Sequence, residues 1–246
     1  MPTYEIVGSE LQAVVCDMSR GDKIIAEAGH VLSLTDGLAF DTTTGGGLMD
    51  GIKRAFAGSS FFINEVVAQS DGRAVFASPS PGKIQQLDIS ASKKWLCQPH
   101  VFLCADGGVT LTAALTKNLG AGLFGGAGFI LQSIEGEGRA FIHAAGACIP
   151  HQLAAGETLR VETGSLAAFE ESVTYDIELV GGLKSMLFSG EGIWFASLRG
   201  PGMVYIQSLA LPRLAHALAP YLPTVRTSTE SGVAGGIIGS ILKNSL

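Results

Sequence analysis

The sequence predicts an all-β fold built from three copies of one unit, and three observations carry that expectation. A glycine-framed segment, Gly126-Ala127-Gly128 through Gly136-Glu137-Gly138 to Ile142, returns 64 residues later as Gly190-Glu191-Gly192 through Gly200-Pro201-Gly202 to Ile206. A looser third copy lies upstream, from Gly58 through Phe61-Phe62-Ile63 to Gly72-Arg73-Ala74-Val75-Phe76, with a turn two residues longer. The apolar runs between the glycines are short, β-branched or aromatic, and bounded by Gly or Gly-Pro turns, as strands are.

A second recurring segment completes the unit. Gly21, Glu27, Gly29, Val31, Leu34, Leu38, Phe40 and Asp41 line up, 135 residues on, with Gly156, Glu162, Gly164, Leu166, Phe169, Val173, Tyr175 and Asp176. The middle copy, Trp95 to Leu111, keeps the apolar spacing at Val101, Leu103, Val109 and Leu111 but loses the Glu-x-Gly. The resulting unit of about 65 residues is two strand groups joined by a variable loop. We expect one pseudo-trimeric β domain over 1–223, with repeats at approximately 1–84, 85–148 and 149–211, and a Gly-rich helical tail over 224–246.

In chain order, strands are expected near Tyr4–Val7 and Leu11–Val15, then a turn at Arg20-Gly21-Asp22 into the stretch from Lys23 to Leu34. The Gly136/Gly138 and Gly200/Gly202 pairs fit hairpin turns that need positive φ, and Pro201 lies in the turn, not the ladder. The runs Phe129–Leu131 and Ile193–Phe195 imply strands covered on both faces, since a half-exposed strand alternates. Leu48, Ile52, Ala55 and Phe56 share a helical face, read as a crossover helix packed on the sheets in preference to a membrane-touching amphipath; Gly182–Phe188 is its short counterpart. Pro212 suits a first helical turn, with Leu211, Leu214 and Leu218 as a stripe. Thr227-Ser228-Thr229-Glu230 has capping-box spacing before a second short helix. Its Gly232, Gly235, Gly236 and Gly239 permit close contact with the domain, a partner or a membrane.

Composition narrows the function. Of 246 residues, 47% are apolar and 15% charged, which supplies a core and excludes a disordered chain. The 33 glycines follow no triplet period, which excludes collagen. A net charge of −6 and a pI near 5.3, without a basic run, argue against nucleic acid as a partner. Cys16, Cys97, Cys104 and Cys148 have no C-x-x-C spacing and read as buried thiols of a reducing compartment. The start reads as a strand without a secretory signal, and no stretch reaches the ~18 apolar residues of a membrane span, so a cytoplasmic protein is expected.

The sequence offers no catalytic residues and implies no cofactor. A cupin-type metal site needs His-x-His with a converging carboxylate, and His30, His100, His143, His151 and His216 do not provide one. His143 and His151 are expected on successive strands. A nucleophile elbow is lacking, and the Gly120–Gly128 glycines have neither the Lys-Ser/Thr of a P-loop nor a βαβ setting. Glu27 and Glu162 could be paired as general acid and base, but equivalent positions in separate repeats favour a repeated turn or strand-end hydrogen bond.

Several of these segments carry a resemblance. Tyr4–Gly8, Ile25–Gly29 and Lys53–Asn64 are similar to the N-terminal signatures, and Gly190-Glu191-Gly192, Gly200-Pro201-Gly202 and Ile206-Gln207 to the C-terminal one, of the altered-inheritance-of-mitochondria (mitochondrial biogenesis protein 24-like) family, long catalogued as a domain of unknown function. The resemblance covers roughly Met1 to Leu218. It implies a fold similar to the trp RNA-binding attenuation protein, with double-stranded β-helix or β-sandwich units, three per chain, in a pseudo-trimer, and it brings no catalytic residues. The expected function is a non-enzymatic structural or interaction protein that forms homo-oligomers, with an unidentified protein partner and weak membrane contact through the tail. The alternatives are a small-ligand or metal-binding sensor of cupin-like type and, by analogy of fold alone, RNA binding.

Overall fold

The structure, a computed structural model, describes residues 1–41, 63–115, 130–180 and 193–221. The segments read above as crossover helices (48–56 and 182–188) and as the tail helix (227–242) lie outside the described residues.

The chain opens with β1 (Thr3–Val7) and then runs through three series of six strands. The first is β2 (Ala13–Met18), β3 (Lys23–Glu27), β4 (Val31–Leu34), β5 (Leu38–Asp41), β6 (Ile63–Ala68) and β7 (Gly72–Ala77). The second is β8 (Gly82–Ile89), β9 (Trp95–Cys97), β10 (Phe102–Asp106), β11 (Val109–Leu115), β12 (Ile130–Gly136) and β13 (Gly138–Ala145). The third is β14 (Cys148–Leu153), β15 (Thr158–Glu162), β16 (Leu166–Glu170), β17 (Thr174–Val180), β18 (Ile193–Arg199) and β19 (Gly202–Gln207). Helix α1 (Leu211–Leu218) follows; Pro212 occupies its first turn, where a missing N–H costs nothing. Of its leucine stripe, Leu211 and Leu218 are exposed and Leu214 is half-buried.

Four antiparallel sheets result, and their order is periodic. The second sheet runs β5-β6-β3-β10-β13-β8 and the third β11-β12-β9-β16-β19-β14, the same order advanced by six strands. Each therefore joins the second, fourth and fifth strands of one unit to the first, third and sixth strands of the next. The joints are β3 on β10, pairing Ala26 with Cys104, and β9 on β16, pairing Cys97 with Ala168. The first sheet, β1-β2-β7-β4, and the fourth, β15-β18-β17, are the two remaining halves. A closed three-fold arrangement needs a third joint, β15 on β4; among the described residues that pairing is not made, and both strands are sheet edges.

Each unit is a sandwich with its own core. The first core gathers Val14, Phe76, Ile24 and Val66 with Leu103 and Phe141; the second Leu87, Trp95, Phe102, Ile134 and Ile142; the third Leu131, Phe169, Leu198 and Val204. The inner sheets serve two cores, which is why β10, β13 and β16 are buried on both faces. Covered runs were expected at Phe129–Leu131 and Ile193–Phe195. Leu131 is fully buried, whereas Trp194 and Phe195 are only half-buried. The reason is position: β18 lies in the fourth sheet, which faces a core on one side only.

The Gly-x-Gly turns connect β12 to β13 and β18 to β19. Gly136, Gly138 and Gly202 have φ of 105°, 137° and 145°, a region L side chains rarely enter. Beside Gly136 the Gly108 carbonyl also occupies the place of a Cβ.

Candidate functional site

One turn is written three times at the joints between units. The strand registers make Glu27-Ala28-Gly29-His30, Gln98-Pro99-His100-Val101 and Glu162-Thr163-Gly164-Ser165 equivalent. In the first two, the amide of the fourth residue donates to the carbonyl of the first, at 3.1 and 3.3 Å. In the third, a 3-10 turn covers Thr163–Ser165. Gly29 takes φ 86° at the third position, and His100 takes φ 66° at the same position, alone among the described non-glycine residues. Holding histidine there costs about 1–3 kcal/mol.

Its side chain explains the exception. His100 Nδ1 lies 2.8 Å from Glu27 Oε1, so the turn of the second unit is bonded to the turn of the first. Glu27 is 5% exposed, and its second oxygen, Oε2, is buried without a hydrogen-bond partner. The bond to Glu27 raises the His100 pKa above its ordinary value against the opposing effect of burial. His30, also 5% exposed, is pushed down by burial; Glu27 opposes that shift and His100 adds to it. Its Nδ1 has no partner.

Beneath the turns the polar cluster continues. The Cys97 thiol donates to Gln132 Oε1 at 3.6 Å, while Gln132 Nε2 is buried and unpartnered. Burial, and then the charge of Glu27, raise the Cys97 pKa. His143 is 3% exposed, and burial, followed by its neighbour His30, lowers it to about 4. The joint of the second and third units is polar as well. Gln98 Nε2 donates to the Thr163 carbonyl. Gln207, the counterpart of His143, donates to the Gly164 carbonyl at 3.0 Å and accepts from the Ala145 amide at 3.1 Å. Glu162 accepts from Ser165 Oγ at 2.9 Å and lies 3.5 Å from Arg213 of α1.

Glu27 and Glu162 thus sit in separate surroundings, and each is engaged by a turn or helix residue. His30, His100 and His143 are brought together, an association the histidine spacing did not suggest. His151 lies on β14, the strand after the one bearing His143, and is half-buried; His216 lies on α1. The signal for the Glu27–His100 pair was a histidine standing where both other repeats have glycine. Among the described residues no three His, Cys, Asp or Glu side chains come together so as to hold a metal ion. The thiols are poor nucleophiles: burial pushes Cys16 up to about 12 and Cys148 to about 11, and also raises Cys97 and Cys104. A separate shallow depression is lined by Met1, Asp17, Thr35 and Arg73, but Arg73 is already bonded to Asp17 at 2.7 and 3.0 Å. The chemistry these groups do in the structure is to tie one unit to the next.

Comparison with known proteins agrees with this scaffold. An uncharacterized protein of Streptococcus pyogenes serotype M6 is 29% identical over 219 residues, covering 86% of this chain and 87% of the relative. The crystal structure of protein SPYM3_0169 from Streptococcus pyogenes, a structural genomics target, superposes with a TM-score of 0.75 at 26% identity, over 90% of this chain and 100% of that one. The family model described as mitochondrial biogenesis AIM24 matches residues 4–209, nearly the whole three-unit sheet array, and the chain belongs to that family.

Proposed function

We propose that the protein is a non-enzymatic interaction scaffold that self-associates. The observation supporting this reading is the pair of sheet edges, β4 and β15, in a chain whose other unit joints are paired. An unpaired edge offers a row of backbone donors and acceptors that a further strand satisfies. The polar cluster points the same way, since its groups bond turns to one another and its thiols are held protonated. Among the described residues no helix is long and apolar enough to cross a membrane. The test is the mass of the full chain by light scattering and mass photometry from nanomolar to tens of micromolar. Mass rising above that of one 25.4 kDa chain is expected; one chain per particle throughout the range overturns the proposal.

A further inference from the structure

We infer that copies of this chain join end to end, β4 of one pairing antiparallel with β15 of the next, in the register of the two joints inside the chain. This rests on the self-association proposed above and specifies its surface. The occupant follows from the repeat itself. At the internal joints a β3-type strand meets a β10-type strand, and among the described residues one strand of each type is left at a sheet edge. They are β15, equivalent to β3 and β9, and β4, equivalent to β10 and β16.

The local geometry of β4 is that of a joint strand. Its pairing with β7 shifts register between Val31 and Ser33, as β10 does between Phe102 and Cys104 and β16 between Leu166 and Ala168. Ser33 thereby corresponds to Cys104 and Ala168, and Leu34 to Ala105 and Phe169. Internal pairs Ala105 with Ile25 and Phe169 with Leu96 then place Leu34 opposite Arg160 and Ser33 opposite Val161.

Exposure at β4 shows what is missing. Leu32 is 68% exposed, whereas its counterparts Leu103 and Ala167 are 0% exposed. Ser33 is exposed where Cys104 and Ala168 are fully buried. In the inner units these positions are covered because the adjoining half-unit lies beside them. The same half-unit beside β4 would cover Leu32. The third joint differs from the first in two ways: Gly29, at the place of His100, offers no side chain while Glu162 is engaged by Ser165 and Arg213, and the charged Arg160 stands where Ile25 and Leu96 pack against a core. It would therefore rest on strand pairing and Leu32, which suits reversible association. A head-to-tail contact of this kind closes into a ring or extends, according to the rotation at the joint.

The test uses the full chain in a Cys148→Ser background, because Cys16, Cys97 and Cys104 are buried. Leu34→Cys chains are mixed with Arg160→Cys chains and oxidised; directly opposed residues have Cβ atoms about 4.5–5.5 Å apart, within reach of a disulfide after small adjustment. A covalent dimer in the mixture, and in neither variant alone, is expected. Leu32→Asp should weaken association at least tenfold while leaving the melting curve in place, since the side chain is exposed in the single chain. Association that gives no mixed dimer and ignores Leu32→Asp overturns this inference and leaves self-association by another surface. A chain that stays single overturns both. A double variant that oxidises within one chain shows β15 closing on β4 of the same copy and overturns the end-to-end pairing.

Discussion

Replacing His143 by glutamine, the residue at its equivalent position in the third unit, Gln207, isolates one source of acid sensitivity. An ordinary histidine titrates near ~6.5, and burial holds His143 at about 4. The folded state thus keeps it neutral where the unfolded chain would protonate it. Its contribution is fully present above ~6.5 and is lost as pH falls towards the folded value. At ~1.4 kcal/mol per pH unit, the gap is worth about 3 kcal/mol in full, and ~2 kcal/mol is lost between pH 8 and pH 5. His30, also lowered by burial, adds to the same slope. His100 opposes it: its raised pKa gives stability that is present below ~6.5 and lost as pH rises through the folded value. That opposing effect is small because the His100 side chain is 75% exposed and screened by water. Asp17 and Glu135 are held below the ordinary carboxylate range and titrate under this window. Urea unfolding at pH 8, 6.5 and 5 should therefore show the parent losing ~2 kcal/mol more stability than His143→Gln. A variant that keeps the parent's full acid slope, or a parent that gains stability from pH 8 to pH 5, refutes the reasoning.

Three further outcomes follow from single contacts. Tyr4→Phe removes the 2.7 Å bond from the phenol to Asp106 Oδ1 while keeping the ring on Phe141; chemical denaturation should show a loss of about 1.5–3 kcal/mol. Gly136→Ala forces a side chain to φ 105° against the Gly108 carbonyl, and thermal melting should report at least about 1–3 kcal/mol lost. In the folded protein at pH 7, a thiol reagent should modify Cys148, which is half-buried, before Cys16, Cys97 or Cys104, which react only on unfolding. Equal rates for all four would contradict the packing.

Local signals were legible because they are local. The Gly-x-Gly pairs lie at the β12–β13 and β18–β19 turns, and Pro212 opens α1 where helix-start chemistry placed it. The sharing of sheets between units was not legible, because the joints rest on backbone pairing such as Ala26 with Cys104, which leaves no compositional trace. The same limit misplaced the exposure of β18: an apolar run is compatible with a strand between two cores and with an edge sheet on one. The Glu27–His100 bond spans 73 positions and was readable only as a histidine in a glycine's place.

That substitution bears on what kind of site the turns form. The backbone course is kept at Gly29 and His100, yet the residue at the first turn position is Glu27 in one unit, Gln98 in the next and Glu162 in the third. A repeated reaction centre would need one chemistry in equivalent geometry, whereas here each side chain has a different partner: a histidine, a backbone carbonyl, and a serine with an arginine. Glu27 and Gln98 each bond across a joint to the neighbouring unit, and Glu162, the last residue of the edge strand β15, turns to its own serine and to α1. The side chains follow the sheets: where a neighbour is present the turn bonds to it, and where the sheet ends the turn bonds inward. Buried polar groups at such joints fix which unit meets which, because the alternative is an unpartnered group away from water. Among the described residues β4 and β15 are the joint-type strands that end a sheet, and no strand pairing links either to a further unit.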